Sequence, residues 1–150
     1  MANVYYASAP DYTGETLTAA LQKAFLPVAA EAGGIAGKRV MIKPNFLEWK
    51  GAEIPVCVDP ALLLALCRLL KEQGAAVIAI IENPAVKSAP VIVEKMGIAS
   101  QLAELGVEVE NCAAYQFVDM PENSAFRRSK CLYGFSSGFR LRINTSVRGM

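Results

Sequence analysis

The chain has no histidine. That removes the Ser-His-Asp triad, the Cys-His dyad and every metal site that needs an imidazole. Cysteine is sparse. Cys57, Cys67, Cys112 and Cys131 are separated by 10, 45 and 19 positions, and no two form a C-x-x-C pair. Zinc ribbons and ferredoxin-type clusters need such pairs, because one turn must deliver two thiolates to one metal. No metal site and no cofactor held by this chain alone is therefore expected. A basic segment followed by an apolar run is missing from MANVYYASAPD, and no apolar stretch approaches the ~20 residues of a membrane span. The expectation is a cytoplasmic protein with free thiols and no membrane partner. Two phosphate-binding patterns are also absent: G-x-G-x-x-G after the first strand, and G-x-x-x-x-G-K-[ST]. Gly33-Gly34-x-x-Gly37 lies ahead of a strand, so it reads as a loop.

What is present is the material of one ordinary domain. The 150 residues are 53% hydrophobic and 19% charged, with net charge +1. A chain of this length buries enough surface to fold without a disulfide or metal. Its bulk charge gives no reason to expect a nucleic-acid partner.

Strand and helix signals alternate. Residues 4–9 (VYYASA) read as a strand. Residues 14–31 place Leu17, Leu21, Ala24, Phe25 and Val28 at helical spacing, with Pro27 expected to kink or end the helix and Gly33-Gly34 to stop it. A second strand is expected at 38–43, then an irregular stretch over 44–58. Asp59-Pro60 opens the clearest helix, with Asp59 as N-cap, Pro60 at the first helical position and Gly74 after the end. The run AAVIAII (75–81) suits a strand buried on both faces of a parallel sheet. Short helices near 88–96 and 98–105 lead to an alternating strand, 107–112. The β-α-β-α-β-α-β order predicts an α/β fold, a doubly wound and mainly parallel sheet of four or more strands with helices on both faces. That domain is expected to span residues 1–122.

Residues 123–150 differ. They carry six basic residues and no acidic one, whereas residues 1–122 carry nine and fourteen. Three readings stay open for this basic tail: a non-native or truncated end, a native hairpin over 131–144, or a binding arm whose Tyr133, Phe135 and Phe139 could stack on bases.

In open parallel sheets, ligands bind outside the carboxyl ends of the strands. The residues expected there are Ser8, Asp11 and Thr13; Lys43, Pro44 and Asn45; Glu82, Asn83 and Lys87; and Asn111, with Asp59 on the same side. Pro44 stiffens the turn that aims Lys43 and Asn45. Lys43 could neutralise a phosphate or carboxylate, and Asn45 could orient it, or Asn45 could simply close a turn. Glu82 could be a general base, a metal ligand or the partner of Lys43, since adjacent strand ends put the two within pairing range, or it could simply cap a helix. Catalytic roles are thus assigned to Lys43 and Glu82, and ligand binding to Asn45, Asp59 and Asn83. Trp49 is either a stacking lid or a packing anchor. Cys67, inside LLLALCRLL, reads as a small core residue.

The strings RVMIKPNFLEWKG, VDPALLLALCRLLKEQGAAVIAIIENP and MGI…LAELGVEVENC resemble the domain-of-unknown-function family 362, over about residues 3–120. The I-K-P-N element is the most specific of them. The resemblance implies an association with iron–sulfur proteins, and candidate site positions at Lys43, Pro44, Asn45, Asp59 and Glu82. It also implies a longer chain than 150 residues, often with a cysteine cluster. An iron–sulfur cluster would then belong to a missing region or to a partner.

Three functions follow as expectations. The first is an uncharacterised α/β domain binding a small anionic ligand at the strand ends. The second is an accessory module for an iron–sulfur redox partner. The third is an inactive truncated fragment, whose exposed sheet edge would make it a homo-oligomer.

Overall fold

The computed structural model describes residues 3–112, 115–119, 122, 128–132 and 141–144. Helix α1 (Gly14–Glu31) leads into strand β1 (Arg39–Lys43), helix α2 (Pro60–Glu72) and strand β2 (Val77–Glu82). Two short helices, α3 (Ala89–Lys95) and α4 (Ala99–Glu104), precede strand β3 (Val107–Asn111). Strands β4 (Tyr115–Asp119), β5 (Arg128–Leu132) and β6 (Leu141–Asn144) complete the described elements. The main sheet has the order β3-β2-β1-β6 and every pairing in it is parallel. The fold is α/β. Strands β4 and β5 form a separate antiparallel pair.

The expected first strand at 4–9 is not formed, and this corrects the sequence reading. Val4 and Tyr6 stand 91% and 79% exposed. The place beside β1 belongs to β6, which pairs from Val40↔Leu141 to Lys43↔Asn144. With that edge taken, residues 4–9 do not pair with β1. They lie instead along α1, where Asn3 and Tyr5 both donate to Glu31 Oε1 at 2.6 Å. Ser8, Asp11 and Thr13 consequently do not stand at a strand end. Asp11 accepts from the Thr13 N–H at 2.9 Å and shapes the turn into α1.

Helix α1 runs through Pro27 to Glu31. Its apolar stripe explains why: Leu17, Leu21 and Phe25 pack before the proline and Ala29 is buried after it. Burial on both sides outweighs the one lost backbone bond. Gly33 and Gly34, both at φ +76°, then turn the chain, with Gly34 N–H donating to Ala29 O at 2.8 Å.

Helix α2 is the helix most deeply built into the core. Leu63, Leu66, Cys67, Leu69 and Leu70 are each at most 2% exposed. Burial of each leucine is worth roughly 2 kcal/mol by area, as an upper bound. Leu63, Leu66, Cys67 and Leu70 join Val40, Ile42, Ile78, Ile80 and Val107 of the sheet in one cluster, to which all four helices contribute. Alternation puts Met41, Ala79 and Ile81 on the opposite face, where they form a second buried group with Cys112 packed against it. Among the described residues no helix contributes to that second group.

Burial pushes the Cys67 thiol up to about 12, from an ordinary 9.0. A thiol raised in the folded state binds its proton more tightly there than when unfolded. Its contribution is therefore complete below pH 9 and lost as the pH rises towards 12. Cys67→Ala is expected to flatten the alkaline fall in stability over that window. Urea melts at pH 7, 9 and 10.5 check this; an unchanged slope would contradict it.

Most of residues 123–150 lies outside the described set. Within it, β5 pairs with β4 and β6 with β1, so these two strands do not pair with each other. Tyr133, Phe135 and Phe139 are outside the described residues.

Candidate functional site

Strands β1 and β2 both run out at the same end of the sheet and each finishes on a charged residue. Lys43 Nζ and Glu82 Oε2 meet at 2.8 Å. The two are unequally exposed: the Lys43 side chain 49%, that of Glu82 11%. Glu82 is the only buried charged residue among the described ones. Its other oxygen, Oε1, accepts from the Asn83 N–H at 2.9 Å. The following Pro84 ends the ladder, because it has no donor. The carboxylate is thus held at both oxygens, while the lysine side chain keeps about half its surface in solvent.

The pair belongs to a row of polar strand ends. Glu82 is in register with Asn111 of β3, and Lys43 with Asn144 of β6. Asn111 Oδ1 accepts from the Ala89 N–H at 2.6 Å, which ties the start of α3 to the end of β3. Cys112 follows, half-buried, with its N–H donating to Glu82 O at 3.3 Å. Its thiol is raised by burial first, then by the negative charge of Glu82, with Lys43 opposing and Glu110 adding to the rise.

Two expected ligand contacts, Asn45 and Asp59, each have one side-chain polar atom bonded within the protein. Asn45 Nδ2 donates to Val56 O at 3.3 Å, and Val58 N–H donates to Asn45 O at 2.9 Å. These bonds close the neck of the long 44–58 loop, which Phe46 and Cys57 anchor in the core. Trp49 packs against that core and is an anchor. Asp59 Oδ1 accepts from Ala61 N–H at 2.8 Å, the N-cap bond of α2. Asn83 is exposed beside Glu82. The strand-end pair was legible from sequence, since chain order alone puts both residues at carboxyl ends. Asn144 was not. It lies in the segment whose composition suggested a tail, and only the β1–β6 register places it here.

Cys112 reports on the pair directly. Removing the charge in Glu82→Gln is expected to bring its alkylation by iodoacetamide to lower pH, and Lys43→Met to move it to higher pH. Peptide mass spectrometry of the alkylated protein follows each rate. Equal profiles for all three proteins would show that Cys112 does not sense the pair.

Among the described residues, no three Cys, Asp or Glu side chains converge on a metal position. No described helix is long and apolar enough to cross a membrane.

The model of the DUF362 family, a domain of unknown function, matches residues 40–146. The chain belongs to this family. The DUF362 match begins inside β1 and extends past β6, so it contains all four strands of the sheet and the Lys43–Glu82 pair. It starts and ends later than the resemblance drawn from the sequence strings. No curated protein and no solved structure matches the chain.

Proposed function

We propose that the carboxyl end of the sheet binds a small anionic ligand, with Lys43 as its cation and Glu82 as the acid/base group beside it. The observation that carries this reading is the asymmetry of the ion pair. A buried carboxylate holds the ammonium at the tip of the lysine, and about half of the lysine side chain stays exposed at the end of the sheet. Parallel sheets bind ligands at that end, because loops there can enclose a crevice over the strand termini. The exposed Asn83 borders the position, whereas Asn45 and Asp59 support it by shaping the loop and capping α2. The near-complete burial of Met41, Ala79 and Ile81 supports a sheet covered on both faces, as in a doubly wound fold.

Sulfate is a suitable probe, as it carries its full charge throughout the neutral range. Isothermal titration of sulfate into the wild type is expected to show saturable binding. Lys43→Met is expected to weaken it at least about tenfold, as befits one lost charge-assisted contact. Equal affinity in the two proteins would refute the role of Lys43.

A further inference from the structure

We propose that the cavity between the segment before α1 and the helix itself binds an uncharged bicyclic aromatic molecule. None of its lining residues belongs to the strand-end site, so the two proposals stand or fall separately. The segment runs back along α1 from one end of the helix to the other. At the far end, Asn3 and Tyr5 donate to Glu31 Oε1. At the near end, Asp11 accepts from the Thr13 N–H and the Thr16 hydroxyl. The eighteen residues of α1 cover about 27 Å, and ten residues of extended chain reach roughly 33 Å. The segment is therefore close to full extension, and its side chains alternate. Val4, Tyr6 and Ser8 are exposed. The odd-numbered residues face the other way: Asn3 and Tyr5 reach Glu31, Ala7 is half-buried, and Ala7 and Ala9 line the cavity.

Two alanines are too short to fill the space that the extended chain spans. Opposite them α1 presents Leu17, Leu21 and Ala24, and Leu62 of α2 completes the wall. About 290 Å³ is left between them. Both ends of the segment are anchored, so the cavity is held at this width without a ligand, which lowers the cost of binding. The Glu31 carboxyl is kept below its ordinary value, first by the Tyr5 bond and then by Asn3, so that anchor is closed at neutral pH. The lining sets the class of occupant. Among the described residues no charged side chain lines the cavity, and a charged ligand would lose hydration there without gaining a partner. Tyr12 lines it with a ring that is 55% exposed, which offers an aromatic face at the solvent side. An apolar cavity of about 150 Å³ accepts benzene, so roughly twice that volume suits two fused rings.

Indole is the probe, followed by backbone amide NMR of the full chain. Saturable shifts are expected at Ala7, Ala9, Ala20, Ala24 and Leu62. Ala7→Leu fills the cavity from a segment outside the core, so the fold is not at stake, and a thermal melt checks this. It is expected to weaken indole at least about tenfold. Glu31→Ala removes the acceptor of Asn3 and Tyr5 and should weaken indole about threefold or more, through lost preorganisation. Indole-3-acetate, the anionic analogue, should bind about tenfold more weakly than indole at this cavity. Equal indole affinity in Ala7→Leu, shifts confined to other residues, or no saturable shift in the wild type would overturn the site. Unchanged affinity in Glu31→Ala would overturn the anchored geometry on which it rests, and indole-3-acetate binding here as tightly as indole would overturn the uncharged class.

Discussion

Ile80→Ala is expected to destabilise the protein by about 3–4 kcal/mol, the upper part of the range for truncating a buried isoleucine. Ile80 is fully buried and lies in the middle of β2, opposite Ile42 of β1 and Val109 of β3. It belongs to the cluster to which all four helices contribute, so no single element can move in to fill the space. A β-strand residue also loses part of its fit to the pleat when its branch is removed. For a domain of this size the loss corresponds to a fall in Tm of roughly 10 °C. Ile80→Val, which removes one methylene, should cost only about 1 kcal/mol. Urea unfolding measures both. A cost below about 1 kcal/mol for the alanine variant would show that the face of β2 is not the centre of the core.

Lys43→Met is expected to cost about 2 kcal/mol. The full penalty for stripping a buried charge of its partner is larger, but Lys43 is half exposed and solvent screens part of the interaction. Methionine keeps most of the aliphatic stem, so the loss reports on the charge. The decisive comparison is the cycle with Glu82→Gln. Removing both charges should recover most of the loss, because the glutamine no longer needs a cation. An interaction energy of about 1–2 kcal/mol is expected from the cycle. A value near zero would mean that the pair is a surface contact with no energetic content, and Glu82 would need another explanation for its burial.

The residues differ in how openly they announced their positions. Asp59-Pro60 through Gly74 was readable in full, since capping, proline placement and the left-handed glycine are local requirements. The strands at β1 and β2 were readable because unbroken apolar runs have few other uses in a chain this short. Residues 4–9 have the same local signal, yet form no strand. Strand formation needs a free neighbour, and β6 occupies the edge of β1. Leu141–Asn144 could not be read as that neighbour from composition. It is four residues long in a basic segment, and its partner is a hundred residues earlier. The same non-local pairing hid Asn144 from the site. Pro27 shows the reverse case: a strong local signal for a break, overridden by packing on both sides of it. Asn45 and Asp59 look alike in sequence to ligand donors and to structural caps, and their bonds to Val56 O and Ala61 N–H show the structural use.

The most direct test of the central claim is to locate where an anion binds. Backbone amide NMR of the uniformly labelled protein, titrated with sulfate at constant ionic strength, reads this residue by residue. The account predicts saturable shifts at Lys43, Asn83 and Cys112 around the end of the sheet, absent from Lys43→Met. Shifts confined to other regions, or unchanged in Lys43→Met, would contradict it.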